Sequence, residues 1–186
     1  DIFLAKYNLK GEFIWNKNIA RGASLQWLTD MDIDKDNNII ITGYFTDSVI
    51  IQNEIVKASG AYNSYILKLN SVGDTIWKKT ILTSSNSGYL TSVKAFNDGY
   101  YFNGYFSGNV FIENHTLSSY VLNKKDVYLF KTDFLGNVSW VRQCHGNGDD
   151  FTGSITQDNY GNIYYSGYFS GTEFFADSTE SIASSR

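Results

Sequence analysis

Lys6-Tyr7-Asn8-Leu9-Lys10-Gly11-Glu12-Phe13-Ile14-Trp15 returns as Lys68-Leu69-Asn70-Ser71-Val72-Gly73-Asp74-Thr75-Ile76-Trp77 and again as Lys131-Thr132-Asp133-Phe134-Leu135-Gly136-Asn137-Val138-Ser139-Trp140. The tryptophans stand 62 and 63 residues apart. In each copy a lysine precedes the glycine by five positions and the tryptophan follows it by four. Gly-Tyr-Phe keeps the same register at Gly43-Tyr44-Phe45, Gly104-Tyr105-Phe106 and Gly167-Tyr168-Phe169. A fixed period of this length is the mark of a repeat architecture. The chain reads as a single array of three units, approximately 1–62, 63–125 and 126–186.

Each unit opens on a strand. Residues 1–8, 63–70 and 126–133 carry Phe3, Tyr65 or Tyr128 at one position and Leu4, Ile66 or Leu129 at the next, so both faces are apolar and the strand is interior. The segment from Asn8, Asn70 or Asp133 to its glycine then forms a turn, because Asn or Asp bonds forward to the backbone and Gly accepts positive φ. A second strand brings the tryptophan. A second hairpin begins near Met31, Val93 and Ile155, turns at residues 36–38, 97–99 and 158–162, and returns through the Gly-Tyr-Phe segments. A short third element, Val49-Ile50-Ile51, Val110-Phe111-Ile112 or Glu173-Phe174-Phe175, reads as a small hairpin or flap on the outside or on one rim.

Composition agrees with an all-β fold. Of 186 residues, 42% are hydrophobic and 17% aromatic, and such residues suit a pleated, half-buried surface. Proline is absent and glycine occurs 16 times, so the turns rest on Gly, Asn and Asp. A net charge of −4 without a basic run lacks the electrostatic footprint of a nucleic-acid binder. No apolar stretch approaches the eighteen or so residues of a membrane-spanning helix, so no membrane insertion is expected. One cysteine, Cys144, excludes an intrachain disulfide.

Two hairpins and four strands per unit, repeated in series, are the grammar of β-propeller blades, which number about four to eight in a ring. The expected fold is therefore all-β, with three four-stranded blade units belonging to a larger propeller. Three units cannot close such a ring, so further repeat units of the same protein are expected as its partners, and a start at Asp1 with Met31 as the one methionine is read as that of a processed or excised piece.

The opening Asp1-Ile2-Phe3-Leu4-Ala5-Lys6-Tyr7, the Gly-x-x-x-Trp spacing and the segment from Asp158 to Gly171 together resemble the bacterial SBBP-type β-propeller repeat family, in its Bacteroidetes-like version. The resemblance covers all three units. It implies a secreted or cell-surface, non-catalytic repeat protein that binds a protein or glycan partner, with adhesion as one such role. The alternative it leaves open is the propeller portion of a carbohydrate-active or quinone-dependent enzyme whose active site lies outside these units. A weaker likeness to quinoprotein propellers stops at the Gly and Trp of their docking motif.

Chemistry-bearing residues are sparse, and no catalytic, cofactor-binding or metal-ligating residue is assigned. Asp32, Asp34, Asp36 and Asn37 offer oxygen ligands of the kind calcium takes, yet the string occurs in the first unit alone and reads as a strand running into an Asx turn. Cys144 and His145 are neighbours on a strand and point to opposite faces, and His115 lies elsewhere, so no nucleophile and base pair is formed. The glycines of Gly146-Asn147-Gly148-Asp149-Asp150 have no following helix or lysine to make a phosphate loop, and the segment reads as a turn. Lys6, Lys68 and Lys131 are expected to reach solvent or the next blade, and Trp15, Trp77 and Trp140 to pack between blades. Trp27, read as lacking a counterpart, is the candidate surface aromatic. Asp47-Ser48-Val49, Asp74-Thr75-Ile76 and Asp177-Ser178-Thr179 match a short O-glycosylation pattern that the resemblance brings with it.

Overall fold

The computed structural model describes residues 1–84, 88–175 and 179–182. Among them there is no helix, and eighteen strands follow in order: β1 (Ile2–Tyr7), β2 (Phe13–Ala20), β3 (Gln26–Ile33), β4 (Ile39–Phe45), β5 (Ser48–Ile51), β6 (Glu54–Lys57), β7 (Asn63–Leu69), β8 (Thr75–Thr83), β9 (Gly88–Phe96), β10 (Gly99–Phe106), β11 (Asn109–Ile112), β12 (His115–Ser118), β13 (Asp126–Thr132), β14 (Val138–Gly146), β15 (Phe151–Gln157), β16 (Ile163–Tyr168), β17 (Thr172–Phe175) and β18 (Thr179–Ile182). The all-β, propeller-type reading holds.

The sheets are cut half a unit out of phase with the sequence repeat. One sheet has the order β3-β4-β7-β8-β11-β12 and the next β9-β10-β13-β14-β17-β18. The second hairpin of one unit thus supplies the inner strands of a sheet, and the first hairpin of the following unit supplies the next two. Gly43 pairs with Tyr65 and Gly104 with Tyr128 across these joins. The four strands expected of a unit are therefore shared between neighbouring sheets. The flaps are the outermost strands, which extends each sheet from four strands to six. Each flap crosses back to the preceding sheet: β11 pairs with β8, β17 with β14, and β5 meets the end of β2 through an Arg21 to Ile50 bridge.

At the two ends stand half-sheets, β1-β2 and β15-β16. The complete sheets stack face to face, β9 lying across β3 and β4, and β15 across β9 and β10. Three apolar cores fill the gaps. Ile2, Leu4 and Val49 meet Ile41, Tyr65 and Leu67; Ile40 and Ile66 meet Tyr100, Phe102 and Phe130; Tyr101 and Leu129 meet Ile155. Strand β7 serves two of these cores from alternate positions, which is why its sequence is apolar on both faces.

Five turns share one geometry. The side-chain oxygens of Asn8, Asp34, Asn70, Asp133 and Asp158 each accept from the backbone N–H groups two and four residues on. The fourth residue, Gly11, Asn37, Gly73, Gly136 or Gly161, takes φ between +62° and +90°. The second hairpins start earlier than the alternation suggested, at Gln26, Gly88 and Phe151. The cause is a register shift in each, between Leu28 and Asp30, between Asn103 and Gly104, and between Thr152 and Ile155. An extra residue at a bulge reverses the in-and-out order, so a period-two pattern read from Met31 does not continue backwards.

Candidate interaction rim

The repeated lysine and tryptophan are cross-strand partners, Lys6 with Trp15, Lys68 with Trp77 and Lys131 with Trp140. Together they hold the turn of the next sheet. Lys68 Nζ and Trp77 Nε1 both donate to the Phe134 carbonyl, at 3.0 and 3.2 Å. Lys6 Nζ donates to the equivalent Ser71 carbonyl at 3.1 Å. The indoles of Trp15 and Trp77 lie against Gly73 and Gly136, where a Cβ would stand 3.1 and 3.2 Å from the ring. The three landmarks that define the repeat are thus one inter-sheet latch, and the expected packing role of these residues is what the structure shows. Lys131 instead pairs with Asp98 at 2.6 Å.

Two acids of the string, Asp32 and Asp34, and the preceding Asp30 are likewise spent between sheets. Asp30 Oδ2 accepts from Ser92 Oγ and the Val93 N–H, and Asp32 Oδ2 from the Ala95 N–H. Asp34 is buried, accepts from the Tyr100 hydroxyl at 2.6 Å and faces Lys68 at 3.5 Å. Burial alone would raise its carboxyl, but bonds from Tyr100, Asn38 and the turn backbone outweigh that and hold it below the ordinary range. Among the described residues no group of three or more His, Cys, Asp or Glu is placed to hold a metal ion. Cys144 lies buried beside the Tyr165 hydroxyl, while His145 stacks between Tyr120 and Phe174 at 4.7 and 5.5 Å. His115 opens β12 and is exposed. Gly146 to Asp150 form a tight connection in which Asn147 Oδ1 accepts from the Thr172 N–H and Asp149 N donates to Ser170 Oγ. Asp47 bonds Ser24, Asp74 pairs with Lys17, and Asp177 and Ser178 fall outside the described residues.

The turns described above close one end of the sheets. At the other end the strands enter and leave through longer connections, and there the rings line up. Trp27 stacks on Tyr44 at 4.9 Å, Tyr44 meets Tyr89 at 4.9 Å, and Tyr89 meets Tyr105 at 4.9 Å. Tyr105 then meets Phe151 at 5.0 Å and Phe151 stacks on Tyr168 at 4.8 Å. Tyr62 joins the band between Tyr44 and Tyr89. The Lys125 ammonium sits 4.4 Å from the Phe151 ring and 5.5 Å from that of Tyr105, where the ring faces attract it. Each sheet contributes one residue from the start of its innermost strand and one from a Gly-Tyr-Phe segment. Trp27 is therefore not alone: Tyr89 and Phe151 occupy its place in the following units. The signal was present as a third aromatic column at the spacing of the repeat, hidden because its residue type changes from unit to unit.

Burial, with smaller contributions from Tyr89, Tyr44 and Tyr168, pushes the Tyr105 hydroxyl up to about 12. Burial and the nearby Tyr62 also raise Tyr44. At neutral pH these phenols are uncharged and both donate and accept hydrogen bonds. The band thus offers ring faces and neutral hydroxyls along one rim, with Trp27 and Tyr168 its most exposed members.

A second cluster was not legible in the sequence. Asp126, Asp150 and Glu173 are all buried in the sheet that runs from β9 to β18 and its connection to the β15-β16 half-sheet. Asp126 corresponds to Asn63 of the preceding sheet and Glu173 to Val110. Asp126 Oδ2 accepts from the Tyr120 N–H and Gln143 Nε2. Burial, assisted by Asp150, pushes Asp126 up to about 6. Burial raises both Asp150 and Glu173, and the neighbouring Asp150 adds to the rise of Glu173. Two carboxylates offer only acceptors to each other, so a proton held between them supplies the donor they lack.

No protein-family model matches the chain. In an alignment 167 residues long that covers 80% of the chain, it is 26% identical to a WD repeat-containing protein of Acanthamoeba polyphaga mimivirus that is itself uncharacterized. The matched region is 12% of that relative's length. The similarity accords with the propeller-type stacking of sheets seen here.

Proposed function

We propose that the chain is part of a non-catalytic propeller scaffold that binds a protein partner through the aromatic rim. The observation that carries this is the unbroken line of rings from Trp27 to Tyr168, which crosses three successive sheets with inter-ring distances of 4.8 to 5.0 Å. Tyrosine and tryptophan are enriched at protein interfaces, because each presents a large rigid face and a polar tip at little cost in side-chain entropy. Similarity to a WD repeat-containing protein supports a repeat scaffold. The SBBP-type resemblance extends this to a secreted or cell-surface bacterial protein, with adhesion as one use of the rim.

Panning a displayed peptide library and a glycan array against the intact chain tests the reading. Peptides should be enriched, and their binding should fall at least tenfold in the Trp27→Ala/Tyr168→Ala double variant, which alters two exposed positions. Enrichment indifferent to both substitutions, or retention of glycans alone, would displace the protein-binding reading.

A further inference from the structure

One member of the rim differs in kind from its counterpart in the preceding unit, and we propose that it selects the partner by charge: the Lys125 ammonium receives an Asp or Glu carboxylate from a peptide segment lying across the aromatic band. The inference rests on the protein-binding reading of the rim and assigns the chemistry of what binds there.

Lys125 stands directly before β13, as Tyr62 stands directly before β7. Both reach the same place. Tyr62 lies against Tyr44 and Tyr89, at 5.9 and 5.1 Å between ring centroids. Lys125 Nζ lies 5.5 Å from the Tyr105 ring and 4.4 Å from the Phe151 ring, and these two hold the positions of Tyr44 and Tyr89 in the next unit. The band thus keeps its geometry from one junction to the next, while a neutral phenol gives way to a positive charge.

The backbone of Lys125 is fixed against the connection between β14 and β15. Its N–H donates to Asp149 Oδ1 at 3.2 Å and its carbonyl accepts from the Asp150 N–H at 2.9 Å. Asp149 is matched by Lys124, at 3.5 Å, whereas the Lys125 ammonium pairs with no carboxylate among the described residues. Asp126 and Asp150 adjoin it but are buried, and the charges that act most on them are those of their own cluster, of Asp149 and of His145. Lys125 therefore serves the band and not the acids behind it.

Ring faces attract a cation but leave the three N–H donors of an ammonium unused. They also hold it in place, so little side-chain freedom is left to lose when an anion arrives. Apolar rings on two sides reduce the screening of its charge by water, which strengthens its pull on a carboxylate. The Tyr105 hydroxyl, pushed up to about 12, stays protonated and is a further donor in the same part of the band. An acidic side chain supplies the acceptors that both groups lack, and its flanking residues lie on the rings to either side.

A displayed random peptide library panned against the intact chain should yield sequences that carry Asp or Glu beside aromatic or apolar residues. One such peptide, synthesised with its acid as Glu and as Gln, is then titrated against the parent and against Lys125→Met, Lys125→Tyr and Lys125→Arg. The parent should prefer the Glu form by about tenfold, as expected for one interfacial charge pair. Lys125→Met and Lys125→Tyr, the second of which installs the residue of the preceding unit, should bind both forms alike, and Lys125→Arg should restore the preference. Far-ultraviolet dichroism should be unchanged in all three. Enriched peptides without acids that still lose binding in the Trp27→Ala/Tyr168→Ala variant would overturn this assignment and leave the rim reading intact. Peptides indifferent to every one of these substitutions would overturn both. A Glu preference as large in Lys125→Met and Lys125→Tyr as in the parent overturns the assignment, as does retention of anionic glycans alone.

Discussion

The glycine of Gly-Tyr-Phe is required by what lies over it. At Gly104 a Cβ would stand 2.7 Å from the Tyr128 hydroxyl and be driven into the Tyr89 carbonyl, to which that hydroxyl donates at 3.3 Å. At Gly43 the same intrusion would displace Tyr65, whose hydroxyl donates to the Trp27 carbonyl at 2.9 Å. Gly104→Ala should therefore cost about 1–3 kcal/mol, the range for overpacking a filled core. Tyr128→Phe, which keeps the ring and loses one bond, should cost about 1 kcal/mol. Urea denaturation of the two variants checks the order.

The buried acids give a residue-scale signature in pH. A carboxyl whose folded pKa lies above its unfolded value keeps its proton longer in the native state, so its contribution is complete at low pH and fades as pH rises. For Asp126 that fading runs from about 3.8 to about 6, and Glu173, also raised, extends the loss upward. Asp126→Asn, which installs the residue of the preceding sheet, should flatten the stability profile across that interval and raise the melting temperature at pH 8. A loss of stability confined to pH above about 6 would instead mark Asp126 as a needed hydrogen-bonding anion.

At the scale of elements, the latch carries the testable energy. Trp77 contacts the core between the sheet of β3 and the sheet of β9, meets Tyr100 edge-on at 6.1 Å and donates to Phe134. Trp77→Ala should cost about 3 kcal/mol, the low end for loss of a large aromatic because the ring is only partly buried. Trp77→Phe should recover part of this but not the bond to the carbonyl. Chemical denaturation of the pair separates packing from hydrogen bonding.

Much of this was legible in the chain. The Asn or Asp and Gly at fixed separation dictated the turns, because few other residues make that geometry, and the apolar faces of 63–70 dictated an interior strand. The bulges opposite the Gly-Tyr-Phe segments were not legible, since Thr29 and Thr91 fit a regular strand as well as a bulge. The acid cluster escaped for a different reason. Asp126, Asp150 and Glu173 lie far apart along the chain, and only the crossing of β17 back to β14 brings Glu173 to the others.

For the whole molecule, a repeat in sequence fixes a period without fixing where one sheet ends and the next begins. Strand pairing across the unit boundary ties each unit to its neighbour by backbone hydrogen bonds as well as by apolar contact, so neither unit forms its own sheet. The junction between the sheet of β3 and the sheet of β9 is then covered by the Lys68 and Trp77 latch, the Asp30, Asp32 and Asp34 bonds and the β11 flap that crosses back to β8. Disruption at one unit should consequently weaken two sheets, a coupling that nearest-neighbour repeat energetics predicts.

The phase of the sheets is the central claim, and inter-strand nuclear Overhauser contacts of the isotopically labelled chain test it most directly. Contacts joining Ile39–Phe45 to Asn63–Leu69, with Gly43 opposite Tyr65, and Gly99–Phe106 to Asp126–Thr132, with Gly104 opposite Tyr128, are the predicted result. Contacts that instead pair Phe13–Ala20 with Gln26–Ile33, closing a four-stranded sheet within residues 1–62, would contradict it.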